Sequence, residues 1–526
     1  MRKIFRLAIL LSAVLLVAVS CIKEPEVSVT EIEQRSLKAW IESNHPELVN
    51  NYQEEGGYYV EIMERGDENA EPVSGKDVWL WYEFTGRSLQ GKICETRDCM
   101  IAEQVGTFTK YTHYVPAFRF SGEESTTMME GTYLATFNTL KIWDDDEQQI
   151  VDFQPRYGTK MRLYLPSSII SKSQSIDGGY EGSYELDESK PMIVDMCIYG
   201  HVTNPVAYEG EWVDRFAEVN GGLCDEHKAV IEDTDATEET KARRRTTRTD
   251  GESEEADARV LEFYDGRWHQ PIDTIEHLYV NYAYNPSKVY GSMGGFDFQV
   301  LGQDTLKYPS EDNYSKGGVY KSADLNQRVN AALIERFGEG LNTDEKVLAA
   351  DSLKRKGAAA KVWYVGRFLD GFIFDTNIDE VKEIIYGEVK SKGSALTFAM
   401  GDPESNDYVL SWIYSIPTLR NGQWAAVLSV STYGYGISGI VGSHSSTTTT
   451  DNTAYYDYLN YMNYMNTMNN IYGYGYGGMY NNSYYGYNPY YYGYGYTSSG
   501  STSTTVTTTS TEIPAYSPLL FQIFVE

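Results

Sequence analysis

The chain has 526 residues, 41% hydrophobic and 23% charged, a balance that supports folded cores over most of its length. Its formal net charge of −31 argues against nucleic acid as a partner, because binding a phosphate backbone requires a positive footprint. The basic cluster of Arg243 to Arg245 with Arg248 lies between acidic runs and reads as solvated linker.

The chain opens with Arg2, Lys3 and Arg6, followed by an apolar run from Leu7 to Val19. That run is shorter than the ~20 residues of a membrane helix and suits a signal peptide over residues 1–20. Ala18-Val19-Ser20-Cys21 is similar to a bacterial lipobox, with Ala18 where Leu is usual, which implies acylation of Cys21. Ile22-Lys23-Glu24-Pro25-Glu26 is similar to a surface-export tag. The expectation is a lipid-anchored protein of the Gram-negative outer membrane, facing the periplasm or the cell surface; the alternative is a plain signal peptide with a chance cysteine. Cys94, Cys99, Cys197 and Cys224 remain for one or two disulfides whose pairing stays open. No CxxC, HExxH or His/Cys cluster is present, so neither a metal nor a cofactor is expected.

Residues 21–74 read as a tether containing a helix over 30–43. Thr30 is placed to cap it with Glu33 completing a capping box, Leu37, Trp40 and Ile41 share a face, and His45-Pro46 ends it. Residues 75–199 are strand-like with Gly, Asp and Ser punctuation, and 200–270 turn polar and read as a linker. In 271–350 strands are expected at Ile275 to Tyr284 and Phe296 to Val300. A helix is expected over 325–337, with Leu325, Val329, Ala332, Leu333 and Phe337 on one face and Gly338 closing it. Within the last unit, 351–526, residues 437–512 are built mostly of Tyr, Gly, Asn, Ser and Thr, with little to bury. This stretch reads as a mobile insertion, the alternative being a stacked-tyrosine surface for glycan or peptide.

Two stretches resemble each other: DVWLWYEFTGRSLQGKICET at 77–96 and KVWYVGRFLDGFIFDTN at 361–377. Both are alternating strands with two glycines five apart, Gly86 and Gly91 in one, Gly366 and Gly371 in the other. TKMRLYLP at 159–166 and QWAAVLSV at 423–430 are again alike, each following a glycine. The chain thus reads as two copies of one unit.

The later copy resembles FKBP-type peptidyl-prolyl cis-trans isomerases. The matching segments are KVWYVGRFLDGFIFDTN, Thr397-Phe398-Ala399-Met400-Gly401, Tyr408-Val409-Leu410-Ser411-Trp412, Leu419 with Gly422, Tyr433-Gly434-Tyr435-Gly436, and Ile513-Pro514 with Leu519 and Phe521. The resemblance implies an α+β fold: two half-wrapped antiparallel β-sheets, each around a short helix. It implies catalytic positions at Tyr364, Phe374, Asp375, Val409, Trp412, Tyr435 and Phe521, with Leu396, Tyr408 and Ile513 lining the substrate cleft. Trp412 and Phe521 would seat the proline ring, while the Tyr435 hydroxyl and the Val409 N–H would hold flanking carbonyls. Asp375 would face the rotating carbonyl or brace Tyr364. The implied partners are proline-containing segments of exported proteins.

Leu396, Ser411 and Gly434 depart from the family's usual Phe, Gly and Ala, which implies a looser pocket and weak activity. In the earlier copy Cys94 and Glu95 replace Phe-Asp, Thr132 stands for the tryptophan, Ser171 for the tyrosine and Val194 for the closing Phe. That copy is expected to be structural or partner-binding. The alternative for the whole chain is a non-catalytic surface binding or adhesion lipoprotein on the same scaffold.

Overall fold

The computed structural model describes residues 29–66, 69–70, 72–73, 77–106, 108–122, 128–170, 191–224, 264–272, 275–290, 295–298, 323–342, 359–399, 407–440, 444–450, 502–508 and 511–526. The signal peptide and Cys21 lie outside them. Among the described residues no helix is long and apolar enough to cross a membrane.

The first elements are α1 (Val29–Asn44), β1 (Tyr52–Gln53), β2 (Tyr58–Arg65), β3 (Trp79–Ser88), β4 (Ile93–Thr96), α2 (Cys99–Val105), β5 (Ala117–Phe120), α3 (Glu130–Phe137), the hairpin β6 (Leu140–Asp144) and β7 (Gln149–Phe153), β8 (Thr159–Leu165) and β9 (Met192–Val202). They build a sheet of order β1-β2-β8-β9-β3-β4 in which β5 also pairs with β3. Next come α4 (Pro205–Val219), β10 (Leu278–Asn281), α5 (Ala323–Phe337), β11 (Ala359–Phe368), β12 (Ile373–Thr376), α6 (Asp379–Tyr386), β13 (Leu396–Ala399), α7 (Leu410–Ser415), β14 (Gln423–Ser429), β15 (His444–Thr450), β16 (Thr502–Thr508) and β17 (Leu519–Val525). The second sheet has the order β10-β14-β17-β11-β12, with β13 pairing β11. All these ladders are antiparallel, so the expected α+β class with antiparallel sheets holds.

Residue by residue, the two sheets share one register. β3 and β4 pair Gly86 with Glu95 and bulge between Gly86 and Arg87; β11 and β12 pair Gly366 with Asp375 and bulge between Gly366 and Arg367. A bulge fixes both the local twist and the aim of the next side chain, so the equivalence extends beyond strand order. In each sheet a preceding helix also sends a glutamate to the same turn. Glu33 of α1 accepts from the Ser167 N–H at 2.7 Å and Oγ at 2.6 Å, and Glu209 of α4 from the Ser431 N–H at 2.7 Å and Oγ at 2.8 Å.

Several sequence expectations change. Thr30 lies inside α1, and Glu33 closes no capping box because its carboxylate is spent on Ser167. The expected tether contains β1 and β2, which join the sheet through β8. The stretch 200–270 is no plain linker. Asn204 caps α4 by accepting from the Ala207 N–H at 3.2 Å, Pro205 starts the helix, and Trp212, Val213, Phe216 and Ala217 form its buried face. Trp268 is also fully buried. Residues 296–298 form no strand; Phe296 instead stacks on Tyr290 and Tyr284 at 5.1 and 5.0 Å. The strand expected over 275–284 shortens to β10, while α5 runs close to its expected span and Gly338 follows it at a φ of 70°. The insertion has an ordered stem, β15 paired with β16 from His444↔Thr508 to Thr450↔Thr502; residues 451–501 lie outside the described set. Cys99 and Cys197 are buried free thiols, so no disulfide joins them.

β17 explains where the core sits. All seven of its residues are buried between β14 and β11, and its side chains alternate between two clusters. Leu520 and Phe524 pack with α4, α5 and α6 on one face. Leu519, Phe521, Ile523 and Val525 face α7 on the other. Because β10 and α4 belong to this core, residues 351–526 alone would lack an edge strand and a covering helix.

Burial raises the Glu33 carboxyl above its ordinary 4.5, while the Ser167 bonds oppose that rise. A raised carboxyl favours the folded chain below the unfolded value and loses that contribution as pH rises through the folded one. Glu33→Gln, which cannot titrate, should therefore gain in Tm relative to the parent as pH is raised from about 4 to about 7. A pH-independent difference between the two melting curves would contradict this assignment.

Candidate active site

The short helix α7 carries the centre of the site. Val409 enters it in extended conformation, at φ −60° and ψ 146°, and Trp412 follows one turn later. Trp412 is 3% exposed and its ring is boxed by perpendicular neighbours: Tyr364 at 5.0 Å and 74°, Phe521 at 5.4 Å and 80°. Phe374 extends the box, meeting Phe521 at 5.9 Å and Tyr435 at 6.2 Å, again nearly edge to face. Such arrangements match the ring quadrupoles and add to the stabilisation from burial alone. Among the described residues the buried Trp412 Nε1–H has no hydrogen-bond partner.

The sequence-expected residues therefore converge. Tyr364, Phe374, Trp412, Ile513 and Phe521 are buried members of one cluster, and Leu396, Tyr408, Val409 and Tyr435 are half-buried against it. Leu396 is placed by pairing with Val362, and Tyr408 by donating to the Thr397 carbonyl at 2.9 Å and by ring contact with Trp412 at 5.7 Å. Asp375 joins through Tyr364, whose hydroxyl donates to its Oδ2, while its Oδ1 accepts from the Thr376 N–H at 2.8 Å. Of the two roles open from sequence, the geometry has Asp375 bracing Tyr364. Burial, with the Asp375 charge acting in the same direction, holds the Tyr364 phenol far above its ordinary range. The same two causes push Tyr435 up to about 12, so its hydroxyl stays a neutral donor at physiological pH. Among the described residues neither the Tyr435 hydroxyl nor the Val409 N–H has a hydrogen-bond partner.

Gly366 permits the box. A Cβ there would lie 2.6 Å from Cζ of Phe374, whose ring crosses the strand at that point. Phe398 also belongs to this cluster and was not expected, while Tyr386, packed with the other cluster, feels the Asp375 charge. Phe398 stacks on Tyr408 at 5.7 Å, and the half-buried Tyr386 phenol is raised first by burial and then by the Asp375 charge.

The equivalent place in the N-terminal sheet lacks this box. By register, Phe84 stands where Tyr364 does, Cys94 and Glu95 where Phe374 and Asp375 do, and Val194, opposite Gly86, where Phe521 stands opposite Gly366. Thr132 follows Met129 as Trp412 follows Val409; it is fully buried and donates to the Met129 carbonyl at 2.7 Å. Ser171 lies outside the described residues. No group of three or more His, Cys, Asp or Glu that could hold a metal occurs among the described residues.

No protein-family model and no curated protein sequence matches the chain. Among solved structures, the three FKBP domains of wheat FKBP73 align over 90% of this chain and 94% of their own, at 7% identity and a TM-score of 0.17. AtFKBP13 aligns over 29% of this chain and 98% of its own, at 14% identity and a TM-score of 0.19. A peptidyl-prolyl cis-trans isomerase from Pseudomonas syringae pv. tomato aligns over 34% and 98%, at 12% identity and a TM-score of 0.19.

In an ordinary strand, replacing glycine by alanine reduces chain entropy in the unfolded state and stabilises. Gly366→Ala should do the opposite, costing about 1–3 kcal/mol by overpacking against Phe374. A lowered urea midpoint with unchanged slope is the expected result; an unchanged or higher midpoint would mean that Phe374 does not lie across the strand.

Proposed function

We propose that the C-terminal unit is an FKBP-type peptidyl-prolyl cis-trans isomerase whose site is the box around Trp412. The observation that carries this reading is the convergence of Tyr364, Phe374, Trp412 and Phe521, from four separate elements, into perpendicular ring contacts beside Tyr435. Turning a prolyl amide requires breaking its resonance, a barrier of about 18–20 kcal/mol, while its two end states differ by only about 0.5–1 kcal/mol. No bond to substrate forms, so the chemistry needs neither nucleophile nor proton relay. An apolar wall favours the twisted, less charge-separated amide over the planar one, and that preference is differential binding of the transition state. In this reading the proline ring approaches Trp412 and Phe521. The Tyr435 hydroxyl and the Val409 N–H hold the carbonyls on either side, and Asp375 keeps Tyr364 in place.

The same proposal divides the chain into two related units, 29–202 and 205–526, the first retaining the frame without the aromatic floor. It also takes the chain to be exported and lipid-anchored at Cys21, with unfolded envelope proteins as its substrates; the support for that is the lipobox-like sequence alone.

A second reading, a binding module without catalysis, is favoured by how little of the floor reaches solvent: Trp412 is 3% exposed and Phe521 1%. Proline-limited refolding in the presence of the intact chain separates the two. Catalysis predicts acceleration over buffer that is lost with Trp412→Ala, reduced up to about tenfold by Tyr435→Phe, the worth of one hydrogen bond in the transition state, and reduced by Asp375→Ala through loss of the Tyr364 brace. Binding of a proline peptide with no acceleration would favour the second reading and refute the first.

A further inference from the structure

The segment that brings Ile513 to the site is held from outside its own sheet. Arg97, just after β4, and Arg119 of β5 are 7% and 6% exposed, and both reach into the C-terminal unit. Their Nη2 atoms lie 3.3 and 3.9 Å from the two carboxylate oxygens of Glu512. Four residues on, Tyr516 sits at a φ of 52°, in the left-handed region that a bulky side chain rarely adopts. Its ring meets Trp79 of β3 edge to face at 4.9 Å and 80°. Ile513 lies between these two anchors. It bridges Ile440 through N–H···O bonds of 2.8 and 2.9 Å, closing the base of the insertion, and its side chain packs in the Trp412 cluster.

The opposite rim is touched as well. His113, in the loop before β5, lies flat on Phe368 at 4.8 Å and has its Nε2 2.6 Å from Asp370 Oδ2. Phe368 in turn contacts Phe374 at 5.1 Å. Tyr111 stacks on Tyr386 at 4.2 Å.

We infer that the N-terminal unit is a positioning element for the C-terminal site: Arg97, Arg119 and Trp79 hold the 511–516 loop so that Ile513 closes one side of the cleft. Two physical facts carry this. A largely buried carboxylate flanked by two guanidiniums is costly to leave without its partners. A non-glycine residue at positive φ persists only where its surroundings over-determine it, and here Trp79 is part of those surroundings. This role explains how a unit without an aromatic floor of its own contributes to the molecule. The catalytic consequence rests on the isomerase reading, whereas the mechanical one does not.

The test uses the full chain and three variants, Glu512→Gln, Trp79→Ala and Trp79→Phe. Amide hydrogen exchange at Ile440 and Ile513 is read beside that at Phe524 and Val525 in β17. Glu512→Gln and Trp79→Ala should each speed exchange at Ile440 and Ile513 about tenfold, leave β17 unchanged, and raise KM for a proline peptide more than they lower kcat. Trp79→Phe, which keeps an aromatic edge, should restore most of the protection. Unchanged exchange at Ile440 and Ile513 overturns the inference, and so does loss of protection along β17, which would place the effect on the whole fold. Absence of isomerase activity in the parent chain is a separate outcome: it removes the catalytic reading and leaves the exchange result to decide the positioning one.

Discussion

The position of Phe521 governs everything around it. β17 is hydrogen-bonded on both sides, and the register sets Phe521 opposite Gly366 on one neighbour and Val427 on the other. From that place its ring reaches Trp412, Tyr364 and Phe374 together. Side chains alternate strictly along a strand, so a slip of one residue would turn Phe521 toward the face where Leu520 and Phe524 pack with Trp363 and Trp424. Central strands buried on both faces resist such slips, because every residue would exchange one well-packed environment for another shaped for a different side chain. The aromatic box is thus a consequence of sheet register before it is a property of the individual rings.

The N-terminal sheet makes the complementary point. It reproduces the bulge at Gly86, the strand order and the glutamate-to-serine clamp, and yet Thr132 and Val194 stand at the floor positions. Holding a frame and carrying a site are separate demands on a sequence. The frame needs apolar residues of suitable size at alternating positions, which Val194 meets as well as Phe521 does. A flat aromatic floor requires particular rings at two or three of those positions.

Period-two runs and paired glycines made β3, β8, β11 and β14 readable, and short segments such as Tyr408-Val409-Leu410-Ser411-Trp412 located the residues that the fold brings together. What stayed hidden did so for identifiable reasons. α4 opens a stretch whose acidic runs lie beyond it and set the composition of the whole, while Trp212, Val213, Phe216 and Ala217 at helical spacing set its own structure, and a compositional reading weighs the first over the second. Phe296 and Phe298 alternate as strand residues do, but they fill an aromatic cluster with Phe216, Tyr284 and Tyr290 without any ladder. Glu33 has the spacing of a capping box, and its partner proves to be a serine 134 positions away. Contacts such as Arg97 with Glu512, separated by 415 positions, leave no local trace in a single sequence.

Exchange spectroscopy on a short X-Pro peptide with a substoichiometric amount of the intact chain addresses the central claim directly, because it observes the bond being turned. The account predicts cis–trans exchange cross-peaks that appear with the parent protein and vanish with Trp412→Ala. Peptide resonances that shift on binding while cis and trans stay as slow to interconvert as in buffer would contradict it.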